Sequence, residues 1–257
     1  MDFKKILGRL TEINGCLRKT KTPLPLILDL LKLQKASYIA EDCQGNKIKI
    51  RPGKGEVFGF YENLIRMDYL KNGVTLDAGD TVVDIGANIG CFTVMAASIV
   101  GPSGRVISIE PEPESYKLLC HNIQLNNLSN VTALNLAISD KNELIELHIS
   151  PNSQLTSVFA EVDKREVEGE IIMLEGRTLE RILDEMKINQ VQLIKMDCEG
   201  SEYGILESLT PILASRIKQI SMEVHEVLGH KPHEITHVLT KLGFQVNQHH
   251  PLFAWQS

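Results

Sequence analysis

The sequence predicts an α/β fold in which helices cover both faces of a doubly wound, mostly parallel sheet of seven strands. From residue 80 onward, short apolar runs alternate with segments of helical apolar spacing, the order expected of parallel strands joined by crossover helices. The runs are almost continuously apolar, as in strands that are buried on both faces. The chain of 257 residues is long enough for one large domain with a small extension.

Five main strands are predicted, and two closing strands follow them at the end of the chain. The runs are TVVDIG (81–86), RVISIE (105–110), VTALNLAI (131–138), VQLIKMD (191–197), IKQISMEVH (217–225), FQVNQ (244–248) and PLFAWQ (251–256). Helices are predicted between them at 91–100, 112–126, 178–188, 203–209 and 233–243. An insert of two or three alternating strands is predicted over about 143–174.

Residues 1–79 differ from the rest and are predicted to form a separate extension to the domain at 80–257. Helical spacing of apolar residues covers 3–17 and 24–35. A β-hairpin is predicted to turn at Gln44-Gly45-Asn46. An amphipathic helix is predicted over 55–73, because Asn72-Gly73 is a common helix end.

Composition and charge argue against several functions. The 27 basic and 33 acidic residues give a net charge of −6, which disfavours a nucleic-acid partner. The five cysteines are scattered without a C-x-x-C pair, which favours reduced thiols over disulfides or a zinc site. Neither a signal peptide nor a membrane-spanning run is evident. These features predict a cytoplasmic protein without a membrane partner, and they do not predict its oligomeric state.

A glycine-containing loop, DIGANIG (84–90), follows the first strand of the domain. Gly86 and Gly90 allow a tight turn and a close approach of backbone to ligand. A dinucleotide site would favour G-x-G-x-x-G, and this loop lacks that spacing. Asp84 precedes the first glycine, where an acid would repel a pyrophosphate but suit a cationic or zwitterionic ligand.

The second strand ends at Glu110, about two dozen residues after the glycine loop. A carboxylate at this position can accept hydrogen bonds from both hydroxyls of a ribose. That feature alone fits NAD as well as other adenosine cofactors. Together with the D-x-G-x-x-x-G loop it indicates S-adenosylmethionine.

Several segments, in this order, resemble the FkbM-type family of S-adenosylmethionine-dependent methyltransferases: TVVDIGANIGCFTV, VISIEPEPESYKLLCHNIQLNN, ALNLAISD, TLERIL and LIKMDCEGSEYGILES. The glycine loop is common to many class I methyltransferases. IKMDCEGSE (194–202) is more specific, because it is similar to the family signature K-x-D-x-E-G-x-E. The resemblance covers roughly residues 80–225 and implies a Rossmann-like methyltransferase domain with S-adenosyl-L-methionine as its cofactor.

The resemblance also implies the residues that bind the cofactor. The methionine end would lie against Asp84, Gly86, Asn88 and Gly90, and the ribose would lie against Glu110. The adenine would lie at the end of the third strand, against the segment from Ala137 to Asp140. An alternative for Asp140 is a simple turn residue.

Three residues near the ends of the fourth and fifth strands are candidates for catalysis: Asp197, Glu199 and His225. In a fold of the kind implied by the resemblance, Asp197 faces the transferable methyl group. Methyl transfer to a hydroxyl requires alignment and removal of a proton, for which a carboxylate or an imidazole is suited. His225 is predicted as a base held by an acid, and Lys195 is expected to pair with an acid. No metal site is predicted, although Asp197, Glu199 and Glu223 are hard oxygen donors.

Other interpretations of these residues remain open at the sequence level. Glu199 and Glu202 are also placed to cap the helix that follows, with Ser201 as its N-cap. The insert contains a small polar loop that is a candidate contact for cofactor or acceptor: Asn152, Gln154, Thr156 and Ser157.

The resemblance biases the reaction towards O-methylation of a small-molecule or sugar-containing (glycan) acceptor. One alternative is a non-catalytic protein that binds S-adenosylmethionine, which would bind the cofactor without turnover. A less favoured alternative is an NAD-dependent oxidoreductase, against which the missing G-x-G-x-x-G counts.

Overall fold

A computed structural model describes residues 3–150, 156–158, 161–162, 165–166, 169–227 and 229–256. The N-terminal region begins with two helices and a β-hairpin. Its elements are α1 (Phe3–Lys19), α2 (Pro23–Leu30), β1 (Tyr38–Glu41), β2 (Lys47–Ile50) and α3 (Glu56–Phe60), which continues into a π-helix (Tyr61–Arg66) and a 3₁₀ turn (Asp68–Leu70). The hairpin predicted from Gln44-Gly45-Asn46 is confirmed, because β1 and β2 pair antiparallel.

The single amphipathic helix predicted over 55–73 is wrong, because the backbone widens into the π-helix after Phe60 and breaks at Met67. Asn63 Nδ2 donates to the carbonyl of Gly59 at 2.8 Å, and an α-helix would use that carbonyl for the Asn63 backbone N–H. A side chain that competes for a helical carbonyl in this way disturbs the regular ladder. Met67 then adopts φ +54° and ends the segment.

The central sheet has seven strands, and all but one of them run in the same direction. Its members are β3 (Thr81–Ile85), β4 (Arg105–Ile109), β5 (Val131–Leu134), β11 (Val191–Met196), β12 (Ile217–Met222), β13 (Gln245–Asn247) and β14 (Leu252–Trp255). The order across the sheet is β13-β14-β12-β11-β3-β4-β5, with β14 antiparallel to both of its neighbours. The predicted doubly wound, mostly parallel sheet of seven strands is confirmed.

Helices cover both faces of this sheet and create two hydrophobic cores. The helices are α4 (Cys91–Val100), α5 (Pro113–Leu125), α6 (Leu179–Glu185), α7 (Glu202–Glu207), α8 (Pro211–Ala214) and α9 (Pro232–Lys241). One core joins the sheet to α6, α7, α8 and α9. The other core joins the sheet to α4 and to the N-terminal region, through residues such as Leu26, Ile48 and Phe60. The N-terminal region thus shares a core with the rest, and a boundary at residues 79–80 stays a prediction.

The third strand is shorter than the predicted run 131–138. β5 ends at Leu134, and Ala137–Ile138 forms a separate strand, β6, that leaves the central sheet. Asn135 explains the break, because its Nδ2 donates to the carbonyls of Glu110 (2.9 Å) and Pro111 (3.0 Å). The Asn135 side chain thereby fixes the chain beside the end of β4 and directs the next residues out of the sheet.

The predicted insert forms a small sheet beside the cleft. β7 (Leu144–Ile149) and β10 (Glu170–Arg177) pair antiparallel, and β10 also pairs parallel with β6. A short hairpin, β8 (Glu161–Val162) and β9 (Arg165–Glu166), lies between them in the chain. Among the described residues, no helix has the length and apolar character needed to cross a bilayer.

Candidate active site

The carboxyl ends of β3, β4, β11 and β12 meet at one edge of the central sheet and open into a cleft of about 330 Å³. In open α/β sheets, ligands bind at this edge, where the strand order reverses. The volume lies at the lower end of the range for small-molecule sites. Residues of α3, the π-helix and the insert form the rest of the wall, so both additions to the central sheet contribute to the cleft.

The glycine loop lies against the end of β11, and this contact explains Gly86. A Cβ at Gly86 would lie 1.8 Å from the backbone oxygen of Asp197, and φ at this residue is +75°. Only glycine allows both the close approach and this conformation at low cost. Gly90, also predicted to bind cofactor, instead packs against α5: a Cβ there would lie 2.6 Å from Leu119 Cδ1. Gly86 lines the cleft, and Gly90 shapes the loop from behind.

Glu110 lies directly beside the loop and is held by two backbone donors. Its Oε2 accepts from the N–H of Asn88 at 2.6 Å, and its Oε1 accepts from the N–H of Glu112 at 2.8 Å. Each oxygen retains a further lone pair, so the carboxylate can still accept from two ribose hydroxyls. Burial raises the pKa of Glu110 to about 7, against the opposing effect of these backbone donors. Asn88 and Glu110 both line the cleft, as predicted for cofactor-binding residues.

Asp84 lies beneath the loop and is completely buried, so that its predicted position against the methionine end needs correction. Its Oδ2 accepts from Thr93 Oγ1 at 2.6 Å, and its Oδ1 lies 3.2 Å from Lys195 Nζ. Lys195 Nζ also donates to the carbonyl of Gly86 at 2.7 Å. The expected pairing of Lys195 with an acid is confirmed, and the pair supports the glycine loop from below.

Burial alone would lower the pKa of Lys195, but the carboxylates of Asp84 and Asp197 outweigh it and raise that pKa. Lys195 therefore remains charged in an almost completely buried position. Its ammonium group supplies positive charge at the base of the cleft, between the glycine loop and Asp197.

Asp197 and Glu223 end neighbouring strands and share the hydroxyl of Tyr69. That hydroxyl lies 2.9 Å from Asp197 Oδ2 and 3.3 Å from Glu223 Oε2. Burial and the two carboxylates raise the pKa of Tyr69 well above its usual value, so Tyr69 acts as a hydrogen-bond donor. Burial and the nearby Asp197 also raise the pKa of Glu223.

His225 lies at the same mouth and is held by Glu202. Its Nδ1 lies 2.9 Å from Glu202 Oε1, while its Nε2 lies 3.6 Å from Glu199 Oε2 and 4.0 Å from Asp197 Oδ1. Burial alone would lower the pKa of His225, but the surrounding carboxylates, Glu202 first among them, raise it to about 10. The structure therefore brings the three predicted catalytic residues together, with His225 as a cation between acids.

Glu199 occupies a left-handed backbone conformation (φ +49°) in the turn between β11 and α7. Burial raises the pKa of its carboxyl to about 8, against the opposing effect of His225, with Asp197 adding to the rise. Glu202 Oε1 accepts from the N–H of Cys198 at 3.2 Å, which lies before the N-cap of α7, so this bond holds the turn and does not cap the helix. Ser201 is the N-cap residue of α7 but makes no capping side-chain hydrogen bond.

The predicted adenine segment divides between two cavities. Ala137 lines the main cleft, whereas Asp140 lines a neighbouring cavity and leaves about half of its side chain exposed. Thr156 and Ser157, from the polar loop of the insert, line the main cleft, and Ser157 Oγ donates to the carbonyl of Glu199. Asn152 and Gln154 lie outside the described residues.

Asp197, Glu223 and His225 could also hold a cation, since one ligand atom of each lies within 4.8 Å of the other two. Two carboxylates and an imidazole suit a divalent metal. Protonation of His225 competes with such a role, because an imidazolium has no lone pair for a metal.

A family model for the Methyltransferase FkbM domain matches residues 84–246. This chain belongs to the FkbM methyltransferase family. The match begins at Asp84 and extends through the site to β13. Because the chain belongs to this family, it is an S-adenosylmethionine-dependent methyltransferase. The cofactor expected from the glycine loop and Glu110 is thereby confirmed.

Two relatives each match about 70% of this chain, and a solved structure matches nearly all of it. The 31-O-demethyl-FK506 methyltransferase FkbM of Streptomyces tacrolimicus is 29% identical over 213 residues, covering 72% of this chain and 81% of that protein. Methyltransferase sdnD of Sordaria araneosa is 24% identical over 208 residues, with coverage of 70% and 80%. A solved structure of an FkbM methyltransferase from Methylobacillus flagellatus covers 98% of this chain and 60% of its own, at 15% identity and a TM-score of 0.49.

Some residues of this FkbM-family site were not predicted from the sequence: Tyr69, Glu62, Asn63 and, as a partner of His225, Glu202. The first three belong to the segment that was predicted as one amphipathic helix, in which polar residues are expected to face solvent. A usable signal was present for Glu202 only, since it belongs to the family signature in IKMDCEGSE.

Proposed function

We propose that this methyltransferase transfers the methyl group to a hydroxyl oxygen of a small-molecule or sugar-containing acceptor, and that Asp197 accepts the proton of that hydroxyl. The observation that carries the proposal is the position of Asp197. Its carboxylate lines the cleft at the end of β11, and its backbone oxygen lies against Gly86 of the cofactor loop. An acceptor between Asp197 and the loop would have its proton acceptor on one side and the cofactor on the other.

The residues of the cleft would align the acceptor and manage its proton. The cofactor supplies an activated methyl group on a sulfonium. In a displacement of this kind the protein gains most from holding the two reactants in line. Tyr69 fixes the Asp197 carboxylate through Oδ2, which leaves Oδ1 directed to the side of His225 and Glu199. We assign the contact with the acceptor hydroxyl to Oδ1.

His225 would act as a cation instead of the base predicted from the sequence. With a pKa of about 10 it carries its proton at neutral pH, so it has no free lone pair to accept another. Its positive charge lies 4.0 Å from Asp197 Oδ1, where it would stabilise the carboxylate and orient the acceptor oxygen. Glu202 holds the ring in this position through Nδ1.

Glu199 would bind the acceptor in its protonated form. Its carboxyl has a pKa of about 8, so near neutral pH it presents one O–H donor as well as acceptor oxygens. A hydroxyl-bearing acceptor needs both kinds of partner, because each hydroxyl donates one hydrogen bond and accepts others. Hydrogen-bond donors and acceptors lie next to each other at the mouth of the cleft.

The name of one relative supports an oxygen acceptor. The Streptomyces tacrolimicus protein is named as a methyltransferase of 31-O-demethyl-FK506. This chain shares the family domain, and the mouth of its own cleft has donors and acceptors for hydroxyl groups. An amine acceptor is the competing choice, because several carboxylates line the same region.

The test is an assay with cofactor labelled with ¹³C in the transferred methyl group. The acceptors form matched pairs, each with a hydroxyl compound (a polyketide alcohol or a monosaccharide glycoside) and its amino analogue. Carbon-13 NMR distinguishes an O-methyl from an N-methyl product. Asp197→Asn should lower turnover at least about 100-fold, as expected for loss of a general base. Glu180→Gln, an exposed acid of α6 outside the cleft, is the matched control and should keep full turnover.

An N-methyl product, or full turnover in Asp197→Asn, would contradict the proposal. Binding of the cofactor without any methylated product would favour the non-catalytic alternative. Isothermal titration with S-adenosylmethionine and, separately, with NAD detects this case, since the protein should bind the first and not the second.

A further inference from the structure

The wall contributed by the π-helix contains an unsatisfied buried acceptor. Asn63 is 8% exposed, and its Nδ2 donates to the carbonyl of Gly59 at 2.8 Å. This bond fixes the orientation of the amide, because only the nitrogen can donate. Asn63 Oδ1 has no hydrogen-bond partner within the described part of the chain, and Asn63 lines the cleft. A buried acceptor of this kind costs free energy unless a ligand or water donates to it.

A second unsatisfied acceptor belongs to the glycine loop. Asn88 lines the same cleft, and its Oδ1 is likewise buried without a hydrogen-bond partner among the residues described. Its backbone N–H already donates to Glu110, so the loop conformation is fixed independently of the side chain. Two residues that line one cleft therefore each hold a buried amide oxygen, and both oxygens require a donor.

Glu62 adds a negative charge to this wall. It lines the cleft next to Asn63 in the π-helix, and among the described residues no ion pair of its carboxylate is found within 4.0 Å. Burial, together with Asp197 and Glu223, raises its pKa to about 7. A cation bound beside Glu62 would favour its ionised form.

We infer that Glu62, Asn63 and Asn88 bind the α-ammonium group of the cofactor's methionine moiety. An ammonium group carries three N–H donors and one positive charge, and it therefore requires three acceptors of which one is anionic. Two amide oxygens and one carboxylate meet this requirement. The inference rests on the S-adenosylmethionine cofactor of the family and does not depend on the oxygen acceptor proposed above.

The position of the three residues fits this end of the cofactor. Asn88 belongs to the loop that the sequence resemblance places against the methionine moiety, and Glu110, which accepts from the backbone N–H of Asn88, is the candidate ribose partner. A hydroxyl group would satisfy only one of the three acceptors, since it has a single proton to donate. The π-helix thus becomes part of the cofactor site, although it precedes the matched family domain at 84–246.

The test compares three ligands by isothermal titration: S-adenosyl-L-homocysteine, its des-amino analogue and 5′-methylthioadenosine. The wild-type protein should bind S-adenosyl-L-homocysteine at least tenfold more tightly than the des-amino analogue, as expected for a charge-assisted hydrogen bond. Glu62→Gln keeps the shape of the side chain but removes its charge, and it should lower this ratio at least threefold. Asn63→Leu and Asn88→Gly should do the same, because each removes an amide oxygen; glycine also accepts the φ of +48° at residue 88.

Binding of 5′-methylthioadenosine shows whether a variant is intact, because this ligand lacks the amino-acid moiety. It should bind the wild type and all three variants with equal affinity. Glu180→Gln, exposed on α6, should leave all three affinities unchanged. Equal binding of the first two ligands by the wild type, or an unchanged ratio in the variants, would overturn the inference. If the wild type bound none of the three ligands, both this inference and the assignment of S-adenosylmethionine as the cofactor would be wrong.

Discussion

The hydroxyl of Tyr69 donates a 2.9 Å hydrogen bond to Asp197, although 128 residues separate the two in the chain. The Tyr69 ring packs edge-on against Phe92 of α4, with centroids 5.9 Å apart. Lys195 Nζ lies 5.4 Å from the ring centroid, within the range of a cation–π contact. The segment after the π-helix is thereby joined to the proposed proton acceptor.

Tyr69→Phe should lower turnover and leave cofactor affinity unchanged. The substitution keeps the ring contacts but removes the donor that fixes Asp197. A hydrogen bond to a charged group contributes about 1.5–3 kcal/mol, which corresponds to roughly 10- to 100-fold in rate if the bond serves only the reaction. The measurement is kcat with an acceptor from the ¹³C assay, beside titration of S-adenosyl-L-homocysteine.

Tyr116→Phe is the matched control for this prediction. Tyr116 lies on α5, and its hydroxyl donates a long bond (3.4 Å) to the carbonyl of Ala133, outside the cleft. Equal losses of turnover in the two variants would indicate a general effect on the fold and would contradict the specific role of Tyr69.

Glu110→Ala should abolish measurable binding of S-adenosylmethionine. The carboxylate is the candidate partner of both ribose hydroxyls, and it also fixes the loop through the N–H of Asn88. Two charge-assisted bonds together account for about 3–6 kcal/mol, or at least a 100-fold loss of affinity. Glu110→Gln should lose less, since an amide oxygen can still accept. Retained affinity in Glu110→Ala, measured by isothermal titration, would assign the ribose to another residue.

The sequence predicted the central sheet because its strands are consecutive apolar runs whose identity depends on local composition. It also predicted Glu110 and Asp197, since each is the first acid after such a run and parallel strands end at one edge of the sheet. The position of Gly86 was predictable because it also lies at the end of such an apolar run. These features depend on short-range pattern and on one rule of topology.

The remaining features depend on contacts that a pattern does not contain. Tyr69 reaches Asp197 only because the π-helix and the break at Met67 redirect the chain. The break in the third strand depends on hydrogen bonds of Asn135 to carbonyls about two dozen residues away. The burial of Asp84 under the glycine loop was not predictable either, because it depends on a contact with Lys195, which belongs to another strand.

Gly86→Ala should abolish cofactor binding. It should also lower the free energy of unfolding far more than replacement of a glycine that has a comparable φ elsewhere in the chain. A methyl group at residue 86 would overlap the backbone oxygen of Asp197 at 1.8 Å, and neither backbone can move without displacing a strand end. Gly53→Ala is the matched control, because φ there is +77° and no atom lies within 4 Å of the added Cβ. Gly53→Ala should cost only about 1–2 kcal/mol, the penalty of the left-handed conformation.

Denaturant unfolding and titration with S-adenosyl-L-homocysteine distinguish the two glycine variants. Similar losses of unfolding free energy at residues 86 and 53 would show that conformation alone requires glycine at position 86. The predicted approach between the glycine loop and the end of β11 would then be wrong.

The free energy of unfolding of the ligand-free protein should fall as pH rises from about 5 to about 8. Burial raises the pKa of Glu62 and Glu110 to about 7 and that of Glu199 to about 8, all above the usual value of 4.5. The folded state therefore binds more protons than the unfolded state in this window. The stability from these groups is complete below about pH 4.5 and is lost as pH rises through their folded pKa values.

Urea unfolding at several pH values measures this dependence. Glu199→Gln should flatten the decline between pH 5 and 8, because an amide does not ionise. Glu180→Gln, on the exposed face of α6, should leave the slope unchanged. Stability that increases over this range would contradict the raised pKa values of the buried acids.

Removal of divalent metal should leave turnover unchanged within about twofold. Asp197, Glu223 and His225 lie close enough together to hold a cation, but positive charge is already present among them. His225, with a pKa of about 10, is an imidazolium at neutral pH, and Lys195 Nζ lies 3.9 Å from Asp197 Oδ2. A divalent ion would have to displace a proton from His225 before that ring could act as a ligand.

Exhaustive dialysis against EDTA, followed by the ¹³C assay with and without Mg²⁺, tests this prediction, and titration with S-adenosyl-L-homocysteine verifies that the treated protein is intact. Glu223→Gln separates the two roles of the cluster, because it weakens a metal ligand but leaves the contacts of Asp197 with Tyr69 and Lys195 in place. If Mg²⁺ restored activity lost on dialysis, and Glu223→Gln no longer responded to it, His225 would be a metal ligand with Asp197 and Glu223. Its assignment as a cation would then be replaced by one in which Glu202 holds a neutral imidazole for the metal.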